Sequence, residues 1–344
     1  MNLEISKVSV IGAGGWGTAL ANLLAAKGTP VRLWVREREV FEQIRDTREN
    51  KEFLPGIRLS AGLEPFQSLE DAMEGADVAV MAVPSHVYRG VLERLKPFFA
   101  GVKCLLSATK GIENDTLMIM SKVKDEVLGG TYKGYFACIA GPSFAGEVGL
   151  RHPTAVTLAI CDRQMGEAIQ QVFSTEFFRV YLSDDITGVE LGGALKNVIA
   201  IGAGAVDGLG FGHNARAALI TRGLAEITRL GVAMGAQPFT FAGLAGIGDL
   251  VLTCTGDLSR NRTVGMRIGR GERLDEITSH TSMVAEGVRT TLAAYRLGLK
   301  FGVDLPIIDE VYRILYEGKD PKAAVRDLMT RELKTERGHY SQEC

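Results

Sequence analysis

Gly12-Ala13-Gly14-Gly15-Trp16-Gly17 follows the short strand-like run Val8-Ser9-Val10-Ile11 and leads into Thr18 to Lys27, where Leu20, Leu23 and Leu24 share one helical face and Gly28 stops the pattern. The spacing is G-x-G-x-x-G, set between a strand and a helix. In that setting the first glycine permits a tight turn, the second lets the backbone approach a pyrophosphate, and the third brings helix and strand close. The helix N-terminus then aims its unpaired N–H groups at the phosphates. The spacing alone is weak. The flanking strand and helix, and a second strand (Val31 to Val35) at the expected distance, make it specific for a Rossmann-type dinucleotide site. Gly12, Gly14 and Gly17 are therefore cofactor-binding candidates.

The end of the second strand bears on which dinucleotide binds. An NAD-selective site usually carries an acid there for the ribose 2′-OH. Here the run is Val35-Arg36-Glu37-Arg38. Arg36 stands in the acid's place and suits a 2′-phosphate, while Glu37 keeps NAD open. The reading predicts NADP(H) and/or NAD(H), with NADPH accepted at least as well as NADH.

Outward from this unit, strands and helices alternate. Asp77 to Val83, Val102 to Ala108 and Phe136 to Ala140 read as further strands, with Pro84 at a first helical position. Alternation of this kind predicts a doubly wound parallel sheet. From Thr187 the strand signals fade. Ala215 to Leu230, Val288 to Leu299 and Ile307 to Tyr316 have helical spacing, and Gly202 to Gly212 is rich in glycine. The expected fold class is α/β: an N-terminal Rossmann-type domain (1–187) that binds NAD(P), followed by a mostly α-helical domain (188–344) for substrate and catalysis.

Composition excludes several functions. Lys plus Arg number 39 against 41 Asp plus Glu in 344 residues, so no global field draws nucleic acid or a membrane surface. The five cysteines are scattered without CxxC spacing and the five histidines form no ligand pair, which predicts no metal and a reducing, cytoplasmic compartment. Val8 to Ala26 is uncharged and superficially resembles a membrane anchor. Its four glycines and Asn22 interrupt it too often for a span, so no membrane insertion and no targeting segment are expected.

Ligands in an open α/β sheet bind beyond the carboxyl ends of the strands. Three such ends carry polar loops: Val83-Pro84-Ser85-His86, Ser107-Ala108-Thr109-Lys110-Gly111 and Gly141-Pro142-Ser143-Phe144-Ala145. Lys110 places an ammonium over the crevice, and His86 is either a general acid/base or structural. In the second half Lys196 sits in the near-apolar Leu191-Gly192-Gly193-Ala194-Leu195-Lys196-Asn197-Val198-Ile199. Burial disfavours its charged form, so it is paired, used, or snorkelling to the surface. Asp249, in Gly246-Ile247-Gly248-Asp249-Leu250, either balances Lys196 or caps a helix. Ser259-Arg260-Asn261-Arg262 brings together donors suited to a phosphate.

In order along the chain, Gly12 to Leu20, Thr109-Lys110-Gly111, Gly141 to Ala145, Ala194-Leu195-Lys196-Asn197, Gly248-Asp249-Leu250 and Ser259-Arg260-Asn261 resemble the soluble, bacterial-type NAD(P)-dependent glycerol-3-phosphate dehydrogenase family, over nearly the whole length. The resemblance implies reversible reduction of dihydroxyacetone phosphate to sn-glycerol 3-phosphate, supplying the glycerophospholipid backbone, with Lys196 as proton donor and acceptor. It implies substrate contacts from Lys110, Gly141, Ser143, Lys196, Asp249, Ser259, Arg260 and Asn261. It implies cofactor contacts from Gly15, Trp16, Arg36, Lys110, Ala145, Arg260, Val284 and Glu286, and a homodimer. The rival readings are another two-domain reductase, of the 3-hydroxy-acid or ketopantoate type, and a non-catalytic NADPH-binding sensor. The phosphate-suited cluster at Ser259 disfavours the first, and a lysine in an apolar helix disfavours the second.

Overall fold

The computed structural model describes residues 3–279, 285–333 and 335–336. Ten strands are present among them: β1 (Val8–Ile11), β2 (Val31–Trp34), β3 (Glu49–Asn50), β4 (Leu54–Arg58), β5 (Leu63–Phe66), β6 (Val78–Met81), β7 (Cys104–Ser107), β8 (Tyr135–Ala140), β9 (Thr154–Ile160) and β10 (Phe178–Ser183). The helices among them are α1 (Gly15–Ala26), α2 (Arg38–Thr47), α3 (Leu69–Met73), α4 (Ser85–Leu95), α5 (Met120–Leu128), α6 (Ala145–Gly149) and α7 (Arg163–Phe173). They continue with α8 (Ile186–Gly208), α9 (His213–Ala233), α10 (Asp249–Thr255), α11 (Arg260–Gly269), α12 (Leu274–Ser279), α13 (Glu286–Phe301), α14 (Pro306–Tyr316) and α15 (Pro321–Met329).

Eight strands form one sheet in the order β10-β9-β8-β7-β6-β1-β2-β5, while β3 and β4 pair apart as a short antiparallel ribbon. From β5 to β8 every pairing is parallel, so β1, β2, β6, β7 and β8 all end on one edge. The sheet departs from the all-parallel expectation at β8/β9, which pair antiparallel with Ala140 opposite Thr157. Residues 141–153 hold only the five-residue α6, and this short link folds β9 back beside β8. Helices cover both faces. One core gathers α1 and α7 against Val8, Val10, Leu33, Leu106, Leu158 and Val180, and the other sets Tyr88, Leu92 and Val123 against Ile11, Met81 and Leu105.

Local chemistry shifts two boundaries. Helix α1 begins at Gly15, three residues before the sequence pattern suggests, because the last residues of the glycine turn are already helical. Pro84 is not the first helical residue but the one before it, and α4 starts at Ser85. Strands β5, β9 and β10 of the sheet escape the sequence reading; in β9, Thr154–Ile160 show no clean alternation of buried and half-buried side chains.

No strand occurs among the described residues after Ser183, and Asp185 starts the helical part. Its Oδ1 accepts from the Gly188 N–H at 2.8 Å, and its Oδ2 accepts from Thr240 Oγ1 at 2.6 Å. The 23-residue α8 is long and apolar enough to cross a membrane, yet its apolar stretch is wholly buried in the protein as a core helix. The glycines of the 202–212 stretch let α8 take α11 at backbone contact. A Cβ at Gly204 would collide with the Arg262 carbonyl, and one at Gly265 with that of Ile201.

Candidate active site

The glycine turn has the geometry its spacing implies. Gly12 has φ +115°, and a Cβ there would sit 2.9 Å from the Ala82 carbonyl oxygen, so only glycine fits. Gly14 is different: nothing lies within 4 Å of where its Cβ would be. That open space over the backbone is a cradle a side chain would fill. Beside it, the Trp16 indole Nε1 is buried without a hydrogen-bond partner among the described residues. Ala145, at the start of α6, faces Gly15. The turn, the free N–H and the N-terminus of α1 fit a dinucleotide.

At the end of β2, Arg36 is exposed and its Nε donates to Glu37 at 2.8 Å. At the end of β6, Ser85 binds Glu286 twice, its N–H to Oε1 at 3.2 Å and its Oγ to Oε2 at 2.7 Å. Glu286 opens α13, so this contact ties the sheet edge to the helical part. Burial raises the Glu286 pKa, against the hydrogen bonds from Ser85 and the charges of Arg289 and Arg260.

Helix α8 crosses the carboxyl edge of the sheet at β8, where Gly193 packs on Ala140 and the Lys110 stem. One turn on, Lys196 is 6% exposed and its ammonium rests on Asp249 Oδ1 and, at 2.9 Å, on Thr253 Oγ1. Lys110 reaches the same carboxylate from β7, donating to Oδ2 at 3.0 Å and to the Gly141 carbonyl at 3.3 Å. Its ammonium also stands 5.8 Å from the centre of the Trp16 ring. Lys196 therefore does not snorkel. Asp249 is the first residue of α10 and 1% exposed, carried there by the π-helical turn Leu244–Gly248.

Two ammonium groups on one buried carboxylate set the electrostatics. Burial, with Lys110 nearby, brings the Lys196 pKa down to about 7 against the opposing pull of Asp249. Burial acts to raise the Asp249 pKa, but Lys110 and Lys196 outweigh it and hold the carboxyl below its usual range.

The remaining predicted residues lie around this cluster. Gly141 has φ +147° and its carbonyl also accepts from Ser143 Oγ at 2.9 Å. Ser259 caps α11, its Oγ accepting from the Arg262 N–H at 3.2 Å. Asn261 is buried as a three-helix joint: its Nδ2 donates to Asn197 Oδ1 at 2.9 Å, and its Oδ1 accepts from the Gly287 N–H at 2.9 Å. Arg260 is exposed and has no ion pair among the described residues, Glu286 being the acid whose charge reaches it. Val284 lies outside the described residues. Thr253 is the residue that sequence reasoning missed. Its signal was its place one helical turn after Asp249, on the same face of α10.

The comparisons agree along nearly the whole chain. A family model described as NAD-dependent glycerol-3-phosphate dehydrogenase N-terminus matches residues 7–166, and its C-terminus counterpart matches residues 185–326. A glycerol-3-phosphate dehydrogenase (NAD(P)+) from Geobacter metallireducens is 57% identical over 332 residues, covering 96% of this chain and 99% of that protein. One of the same description from Geobacter sulfurreducens is 56% identical over 331 residues, covering 96% and 99%. The crystal structure of glycerol-3-phosphate dehydrogenase from Coxiella burnetii has a TM-score of 0.91 at 38% identity, covering 96% of this chain and 100% of that one.

Proposed function

Because the chain belongs to the NAD-dependent glycerol-3-phosphate dehydrogenase family, we propose that it interconverts dihydroxyacetone phosphate and sn-glycerol 3-phosphate with NAD(P)(H). The observation that carries this reading is the pair of lysines on the single buried carboxylate of Asp249, at the carboxyl edge of the sheet.

When bound, the nicotinamide supplies and accepts the hydride. Everything else falls to side chains. As an ammonium, Lys196 gives a proton to the substrate oxygen as the carbonyl is reduced. As a neutral amine, it takes the hydroxyl proton in the oxidative direction. A pKa of about 7 lets it do both near neutrality. Asp249 and Thr253 aim the amine, and Lys110 holds positive charge beside the developing alkoxide. Arg260, exposed and without an ion pair among the described residues, anchors the substrate phosphate with Asn261 and Ser259, and Gly141 and Ser143 line the carbonyl end. That remote anchor positions the reacting carbon.

The open face of Gly14, the close-packed Gly12, Gly15 and Gly17, and the Trp16 N–H would hold the pyrophosphate half of the cofactor. Arg36 would meet a 2′-phosphate, and Lys110, Ala145, Arg260 and Glu286 would border the rest. We assign residues 1–187 to cofactor binding and 188–344 to substrate and catalysis, with a homodimer in the cytosol. The four described cysteines are free, as suits a reducing compartment. The product would supply the glycerophospholipid backbone.

Initial rates of NADPH and NADH oxidation test the reading, with dihydroxyacetone phosphate set beside glyceraldehyde 3-phosphate. Turnover is expected only with the ketone phosphate. Its absence with both cofactors would remove the reading.

A further inference from the structure

Polar side chains from both halves of the chain stand on one side of the glycine turn. Strand β1 lies between β6 and β2, so the residues that follow β2 and β6 flank the turn at the carboxyl edge. Arg36 follows β2, and His86 follows β6 as the second residue of α4. The Ser85–Glu286 hydrogen bonds seat the start of α13 on the start of α4. Arg289 is three residues beyond Glu286, one turn along and on the same side of α13. Both His86 and Arg289 are exposed.

Arg36 is already paired with Glu37, whereas Arg289 carries no pairing acid among the described residues. The charges of Arg289 and Arg36 both act on His86 and, after desolvation, help hold its pKa below the ordinary histidine value. Among the described residues Arg289 has no hydrogen bond and no ion pair. The nearby carboxylate of Glu286 feels its charge but is engaged by Ser85. Glu37, the other acid on this side, holds Arg36. A dianion placed among the three groups would meet one unpaired guanidinium, one strand-end guanidinium and one imidazole N–H.

We propose that Arg289 and His86 complete, with Arg36, a cradle for the 2′-phosphate of NADP(H), so that the helical half of the chain takes part in choosing the cofactor. This rests on reading the glycine turn as the dinucleotide site, and it adds two specificity-determining residues that the strand-end rule does not reach. Arg289 contributes a guanidinium fork that no carboxylate pairs among the described residues, and His86 contributes a ring N–H from the end of a different strand.

The test uses two adenosine fragments that differ only in the 2′-phosphate, 2′,5′-ADP and 5′-AMP, titrated calorimetrically into the full chain. R289A should weaken 2′,5′-ADP by about tenfold and leave 5′-AMP within about twofold, as expected for one lost charge-assisted contact. H86Q should show the same asymmetry at about threefold, and R289K, which keeps the charge without the fork, should recover only part of the loss. In turnover, the ratio of kcat/KM for NADPH to that for NADH should fall about tenfold in R289A. Equal loss for both fragments, no loss for either, or a wild-type protein that does not prefer 2′,5′-ADP would overturn the proposal. Absence of turnover with dihydroxyacetone phosphate would overturn the assigned reaction while leaving the fragment titration to decide the cradle.

Discussion

The ammonium of Lys196 rests on Oδ1 of Asp249, 53 residues further along the chain, and each of the two is almost fully buried. Lys110 takes the other oxygen of the same carboxylate. One negative charge thus faces two positive ones in a medium that screens poorly, and one proton is easily released. The more buried lysine is the one that gives it up, which is why Lys196 titrates near neutrality rather than in the usual lysine range.

Removing the amine isolates its role. Lys196→Ala should lower kcat by about 10²–10⁴-fold, the usual cost of a lost general acid/base. Cofactor affinity, followed by NADPH fluorescence, should stay within about twofold. Near-normal turnover would refute the assignment.

The direction of the reaction should set the sign of its pH dependence. Reduction of the ketone needs protonated Lys196, so its rate falls as pH rises through about 7; oxidation needs the neutral amine and falls below that value. In Asp249→Asn the two ammonium groups lose their shared counter-charge and the Lys196 pKa drops further. The falling limb of the reductive profile should then move to lower pH. A limb that stays in place would show that another group controls it.

Arg260 acts at a distance from the reacting carbon. Arg260→Ala should raise KM for dihydroxyacetone phosphate by about 10- to 100-fold, in line with loss of a charge-assisted hydrogen bond. The much slower turnover of dihydroxyacetone, which has no phosphate, should hardly change. Equal effects on the two substrates would move the phosphate site elsewhere.

A buried carboxyl outside the site links stability to pH. Glu226 of α9 accepts from the Ile307 and Ile308 N–H groups at the start of α14, at 2.7 and 3.1 Å. Burial still raises its pKa to about 7 from the ordinary 4.5, against those hydrogen bonds. Between these values the folded state binds the extra proton, so the contribution of Glu226 is most favourable below about 4.5 and is lost as pH rises through about 7. The loss amounts to roughly 3 kcal/mol for a shift of this size. Glu226→Gln cannot ionise, so its Tm minus that of the wild type should increase from pH 5 to pH 8. A constant difference would show that Glu226 does not titrate in this range.

Much of this protein was legible one residue at a time. The strand, glycine turn and helix at the N-terminus follow from local spacing, and so do the helices at 213–233, 286–301 and 306–316, whose apolar stripes repeat every turn. The reversal at β8/β9 was not legible, because strand direction depends on where a connection leads and not on the residues inside the strand. Thr253 was not singled out, since its place one turn after Asp249 marks a shared helix face but not the lysine that lies across it.

The sequence by itself determined that a dinucleotide turn exists and that Lys196 is costly where it stands, because backbone conformation and burial cost are properties of short segments. Tertiary structure alone decided that cost's use. Lys110 and Asp249 are 139 residues apart in the chain, and only the packing of α8 and α10 against the sheet edge makes them share one buried charge with Lys196. Separation in space, not in sequence, sets Coulomb energy, and so the proton affinity of Lys196 belongs to the fold.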